Sequence, residues 1–330
     1  MREVSGLDRA TFDGEVRPEG RPLVIRGLAA DWPAVVAARE GDASLIAYLK
    51  RFVTGRPATA VVGQPEIGGR FFYNDDLTAL NFERGKSPLG PFLDRLLRDA
   101  AHPQPLAMAV QSEPIADLLP GFEVANRIDL VATSIVPRAW IGNRIRVGAH
   151  SDLMENIGIV VAGRRRFTVF APDQVANLYP GPFELTPAGT PVSMADLADP
   201  DFERYPRFAD ALANAEVAEL EPGDAIYIPY HWWHAVDSLK AVNLFVNYWW
   251  NDAGRQAASP YDAMMHALLA IKTLPQSQRE VWRMLFDHYV FGANGDPAAH
   301  LPPHAQGMLG ELDLKKKHEL RSTLADIFSR

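Results

Sequence analysis

Hydrophobic and polar positions alternate in short runs through the middle of the chain and repeat with helical spacing towards its flanks. Near the start, PLVIRGL at 22–28 predicts a short buried strand ending at a glycine, and Asp31-Trp32-Pro33 a turn. Residues 43–53 bring Leu45, Ile46, Leu49, Phe52 and Val53 to one helical face. Residues 89–98 do the same with Phe92, Leu93, Leu96 and Leu97. Between these helices, 58–62 and 70–73 predict strands around a Gly-rich turn, and 105–111 predicts another. From about 135 to 250 short strands follow one another, at 136–141, 144–150, 156–162, 166–170, 225–228 and 242–248. Strands at such close intervals imply a β-sandwich or barrel. A Pro-rich, acidic insertion at 178–216 interrupts them, and connections of that length often form lids or binding loops. Beyond Trp250 the period turns helical. Residues 260–272 and 275–291 each open with Pro, 293–307 is a loop, and 308–328 predicts a last helix. The Lys315-Lys316-Lys317 run reads as a solvated helix face.

Composition narrows the chemistry. Of 330 residues, 47% are hydrophobic and 22% charged, so a well-buried core is expected. A net charge of -8 without a long basic run makes nucleic acid an unlikely partner. The absence of cysteine excludes disulfides, thiolate metal sites, Fe–S clusters and cysteine nucleophiles. Any metal must then be held by His, Asp or Glu, which suits Fe(II), Mn(II) or Zn(II). The start lacks the apolar run of a secretory signal, and no run reaches the ~18 apolar residues of a membrane span, so a cytoplasmic protein is expected.

One constellation fits that donor set. His150 and Asp152 stand at i and i+2, which on a strand share a face. His234 lies far downstream, just past a predicted strand at Ala225–Pro229 and inside a hydrophobic run, with His231 as a competitor. Two imidazoles and a carboxylate hold a non-haem Fe(II) on one side and leave positions open for co-substrate and O₂. Of the consecutive Arg164, Arg165 and Arg166, the middle one faces away from its neighbours.

The stretch 148–250 resembles the JmjC/cupin-like 2-oxoglutarate oxygenases, and among them the asparaginyl hydroxylases that act on hypoxia-inducible factor. The resemblance is carried by Gly148-Ala149-His150-Ser151-Asp152, Gly163-Arg164-Arg165-Arg166-Phe167, Phe170-Ala171-Pro172-Asp173-Gln174 and Leu178-Tyr179-Pro180. It continues through Asp199–Pro206, Pro222–Pro229, Trp232-Trp233-His234 and Asn247-Tyr248-Trp249, with Pro22–Gly27 and Asp31-Trp32-Pro33 at the start. It implies a mainly β fold with flanking helices: a double-stranded β-helix (jelly roll) in a catalytic domain at 1–252, with its core at about 105–252. A helical segment at 253–330 follows. It implies His150, Asp152 and His234 as iron ligands, with His231 on a non-ligand position. Arg165 takes the place of a basic residue, Lys in the asparaginyl hydroxylases, that grips the distal carboxylate of 2-oxoglutarate. Asn156 and Asn247 fall near iron and co-substrate. Two polar family contacts to the co-substrate carboxylate are missing: Met108 or a neighbour stands where the family has a Tyr, with Gln111 close by, and Val147 where it has a Thr.

The implied activity is Fe(II)-, 2-oxoglutarate- and O₂-dependent hydroxylation of an unactivated carbon in a protein, peptide or small molecule. Trp232, Trp233, Tyr248, Trp249 and the insertion are candidates for excluding water, and Arg204 and Tyr205 for shaping a groove. A cupin metalloenzyme that needs no 2-oxo acid, or a silent binding module, are the alternatives. The apolar helices at 260–291, with the family's habit, imply a homodimer.

Overall fold

Two facing sheets arise from the strand alternation. In chain order the strands are β1 (Arg2–Ser5), β2 (Leu23–Arg26), β3 (Pro57–Gly63), β4 (Arg70–Phe71), β5 (Glu83–Pro88), β6 (Ala107–Pro114) and β7 (Pro137–Gly142). They continue as β8 (Arg146–Ser151), β9 (Glu155–Ala162), β10 (Arg165–Phe170), β11 (Glu216–Leu220), β12 (Ala225–Ile228), β13 (Trp233–Ser238) and β14 (Asn243–Trp250). The major sheet has the order β1-β2-β12-β9-β14-β7-β6-β3-β5, and the minor sheet β11-β10-β13-β8-β4. From β7 onwards the chain passes between the two sheets, which makes the jelly roll. This computed structural model describes residues 1–252 and 259–328. The chain divides into two compact units, Met1–Asn251 and Asp252–Arg330.

Each sheet sorts its side chains by parity. On β14, Leu244, Val246, Tyr248 and Trp250 join Ile157, Ile159, Ala225 and Tyr227 in the largest core cluster. Helices Pro33–Glu40, Asp42–Lys50 and Leu89–Arg98 cover that face with Val35, Leu45, Leu49, Phe92 and Leu93. Full burial of each such side chain contributes about 1.5–3 kcal/mol. The opposite parity gives a smaller cluster between the sheets: Phe167, Val169, Ile226, Ile228, Val236 and Phe245. Phe167, Val236 and Phe245 of this cluster also form part of the wall of a cavity.

The outer face of the minor sheet is covered by the insertion, which runs from β10 to β11. Leu178, Ala195 and Phe208 pack there against Ala149, Phe170 and Trp233. Part of the insertion lies along β8. Ser193 N–H donates to Ala149 O at 2.7 Å, and Thr190 Oγ1 donates to Ser151 O at 3.0 Å. Asp196 reaches Arg70 (3.2 Å) and Arg146 (3.5 Å), adjacent cations on β4 and β8.

The structure adds elements that the pattern did not predict: β1, β5, β11, β13 and the helix Pro33–Glu40. β5 is exposed on both faces and carries no alternation to read. The last helix begins at Leu314 rather than 308, because Gly307 and Gly310 break the chain and Asp313 caps the start by accepting from Lys316 N–H at 2.8 Å. In the second unit, Pro260–Ala270 and Gln276–Tyr289 leave Leu269, Met284, Val290 and Phe291 exposed. No helix among the described residues is long and apolar enough to cross a membrane.

One glycine sets a close approach. A Cβ on Gly158 of β9 would sit 2.0 Å from Phe245 Cζ, so the ring lies directly across the strand. That ring in turn lies beneath the Arg165 guanidinium, 4.6 Å from its centroid. Gly158→Ala forces the ring aside, and we expect a loss of about 1–3 kcal/mol in urea unfolding. An unchanged midpoint would show that the ring yields freely.

Candidate metal centre

A β-bulge aims the first histidine. On β13, His234 and Val236 are two residues apart, yet their partners on β8, His150 and Val147, are three apart. The extra residue on β8 resets the parity, so Val147 and His150 both line the cavity between the sheets. His150 and His234 are directly opposite each other in the ladder, with ring centroids 4.4 Å apart. The sequence reading placed His234 just past a strand end. It is instead the second residue of β13, unpredicted because its aromatic neighbours mask the alternation.

Both imidazoles are held in one tautomer. His150 Nδ1 donates to Gly148 O at 2.9 Å, and His234 Nδ1 to Trp232 O at 3.2 Å. The Nε2 lone pairs are thereby free for a ligand. Asp152 follows β8 directly, and its Oδ2 lies 3.6 Å from His234 Nε2. That oxygen is buried and has no hydrogen-bond partner among the described residues. One ligand atom from each of the three residues falls within 4.8 Å of the others. An orphaned carboxylate oxygen facing two free imidazole nitrogens is a cation site by its donor set. His231 is not part of it. It is half-buried, does not line the cavity between the sheets, and its Nδ1 meets Ser151 Oγ at 3.2 Å.

The three residues open on a cavity of about 700 Å³. Arg165, the first residue of β10, lines it and is 6% exposed. Arg164 and Arg166 share the other face and both pair with Glu219. Among the described residues Arg165 has no such partner. Its Nε is buried without a hydrogen bond, and burial pushes its pKa down to about 9. Keeping a cation there costs on the order of several kcal/mol, which an anionic ligand would offset.

The family description "Cupin-like domain" matches residues 9–256. The chain belongs to the cupin-like family. Human HSPB1-associated protein 1 is 32% identical over 150 residues, 42% of this chain and 29% of the relative. Lysine-specific demethylase JMJ31 of Arabidopsis thaliana is 33% identical over 112 residues, 34% of this chain and 20% of the relative. The tRNA wybutosine-synthesizing protein 5 of Gallus gallus is 30% identical over 152 residues, 42% of this chain and 45% of the relative. The chain thus spans less than half the length of these curated relatives. The JmjC/cupin-like resemblance read from the motifs stands, at the level of the family rather than of one branch.

Within this cupin-like barrel the remaining candidates fall as follows. Asn156 and Asn247 both line the cavity. Asn247 Nδ2 donates to Asn156 Oδ1 at 3.1 Å, and Asn247 Oδ1 accepts from Trp140 Nε1 at 2.8 Å. Gln111 lines the cavity, whereas Met108 lies in the major core cluster. Of the proposed aromatic wall, only Trp249 lines the cavity. Trp233 and Tyr248 have the wrong parity and face other clusters, and Trp232 Nε1 donates to Gly20 O at 3.0 Å. The cavity's other aromatics are Phe71, Trp140, Phe167 and Phe245. The insertion does contribute a wall, through Glu184–Gly189 and Val192. Arg204 and Tyr205 do not line the cavity. Trp140 and Arg138 were missed, although i and i+2 on β7 could have paired them.

Burial first, and then the neighbouring His150, hold the His234 pKa down at about 4, against 6.5 for a free histidine. Between those values the unfolded chain binds a proton that the folded chain does not. The metal-free protein is therefore expected to lose up to about 3 kcal/mol as pH falls from about 6.5 to 4, with this contribution intact above 6.5. Urea unfolding across that range checks it. A His234→Asn variant with the same slope would assign the effect elsewhere.

Proposed function

We propose that this chain is an Fe(II)- and 2-oxoglutarate-dependent oxygenase that hydroxylates an unactivated carbon of a protein side chain or small molecule. The observation that carries the reading is the sharing of one cavity by the His150–Asp152–His234 donor set and a buried, unpaired Arg165. A dianionic 2-oxo acid fits that pairing. One end would meet the metal, and the other would supply the carboxylate that Arg165 lacks. A guanidinium receives a carboxylate through two parallel hydrogen bonds.

Fe(II) bound by the triad, with O₂ and the 2-oxo acid, supplies an oxidative decarboxylation that releases succinate and CO₂ and places one oxygen atom on a C–H bond. The chain's own residues do the rest. Gly148 O and Trp232 O fix the ring orientations, so metal binding needs no tautomer change. The Trp140–Asn247–Asn156 chain holds polar groups rigid at the wall. Glu184–Gly189 and Trp249 line the cavity and narrow water access. Val147 contributes no hydrogen bond where the family has Thr. Gln111 remains the candidate for a compensating polar contact.

The relatives' names include demethylases and a tRNA-modifying protein. A net charge of -8 speaks against a polyanionic substrate here, and the cytoplasm is the proposed setting. Anaerobic addition of Fe(II) and 2-oxoglutarate is expected to give a visible metal-to-ligand charge-transfer band. Asp152→Ala should abolish it, and Arg165→Met should keep metal binding while weakening 2-oxoglutarate at least about thirtyfold. No band together with no 2-oxoglutarate binding would overturn the reading. Succinate formation separates it from a cupin enzyme that needs no 2-oxo acid.

We also propose a homodimer through the second unit. Its support is the apolar surface of Gln276–Tyr289 and the residues after it, where Trp282, Met284, Val290 and Phe291 are exposed. Light scattering at micromolar concentration should give twice the chain mass, and Trp282→Glu the monomer. A monomeric wild type sinks the proposal.

A further inference from the structure

A second guanidinium lines the cavity and is held in an unusual way. β6 carries a bulge: Val110 and Glu113 are three residues apart, while their partners Ile141 and Ala139 on β7 are two apart. Within it Ser112 has φ 53°, a left-handed conformation costly for a residue with a side chain. Arg138 of β7 secures the turn. Its Nε donates to Ser112 O (3.1 Å) and Ser112 Oγ (2.8 Å), and its Nη2 to Ser112 O (2.7 Å). Its guanidinium also lies 6.0 Å from the Trp249 ring centroid. Arg138 is half-buried and makes no ion pair among the described residues.

A backbone carbonyl orients the cation without neutralising it. Ser112 occupies the Nε–Nη2 side of the planar group, so the Nη1–Nη2 edge is left for a second fork of two donors. Glu113, the acidic residue that follows Ser112, is committed elsewhere, accepting from Thr59 N–H at 2.6 Å. We infer that Arg138 is a specificity-determining residue that binds a carboxylate on the substrate, end-on and bidentate. Arg165 and Arg138 then serve two different anions, the co-substrate and the substrate. Phosphate is the poorer fit. It carries about two charges at neutral pH, and the other cation lining the cavity, Arg84, stands on the exposed edge strand β5.

The inference rests on the oxygenase reading for the fate of the bound molecule, not for its binding, so binding is what the test measures. The probes are the N-acetyl α-amides of Asp and Glu, beside those of Asn, Gln and phosphoserine. Saturation-transfer NMR on the full chain, without iron, reads their affinities. At least one carboxylate probe should bind about tenfold or more tighter than its amide counterpart. Arg138→Gln should erase that preference, Arg138→Lys should keep only part of it, and Arg84→Gln should leave it intact. Melting curves and retained 2-oxoglutarate binding show that the variants fold. A wild type without the preference, a preference that survives Arg138→Gln, or tighter binding of the phosphoserine probe would each overturn the proposal. Loss of 2-oxoglutarate turnover with the preference intact would instead overturn the oxygenase reading.

Discussion

Pairing of β8 with β13 is the constraint that the site depends on. It sets two imidazoles opposite each other across one ladder, so their spacing is fixed by backbone hydrogen bonds rather than by side-chain packing. The bulge on β8 turns the first ring inwards, and the strand end presents Asp152 beside the second. The insertion then bonds to the ligand-bearing half of β8 through Ser193 and Thr190, where β4 no longer reaches. The ligand strand is thus supported on both edges. Such rigidity suits a centre whose open coordination positions must point one way.

The centre is held at a cost. Asp152 Oδ2 and Arg165 Nε are buried without partners, and His234 is kept neutral by burial. A fold that was merely stable would pair or expose such groups. Here they sit in one cavity, with complementary charges and room between them. The exposed pairs elsewhere, such as Arg2 with Glu19, contribute little by comparison.

Much of this was legible in the residue pattern. The strands at 156–162, 166–170 and 242–248 and the helix at 89–98 announce themselves because one parity or one stripe is apolar. His150 and Asp152 were visible through their types and spacing, whereas the choice of His234 over His231, and of Arg165 as the cation inside the barrel, rested on the family resemblance. β13 escaped notice because each face carries apolar or aromatic residues at its start (Trp233 and Ala235 on one, His234 and Val236 on the other), so no alternation shows. The aromatic wall was misread for the same reason: Trp233 and Tyr248 serve packing on the far faces of their sheets. The two bulges lay beyond reach, since an extra residue in one strand shows only against its partner's register. Arg138 could have been paired with Trp140 by spacing, but its hold on Ser112 depends on the bulge in β6.

The stacking of Arg165 on Phe245 over Gly158 ties three positions into one inherited unit. A larger residue at 158 has no space unless the ring at 245 shrinks, and a smaller ring removes the aromatic surface on which the guanidinium rests. The size of a side chain on β9 thereby governs where a positive charge can be kept on β10, although the two residues belong to opposite walls of the barrel.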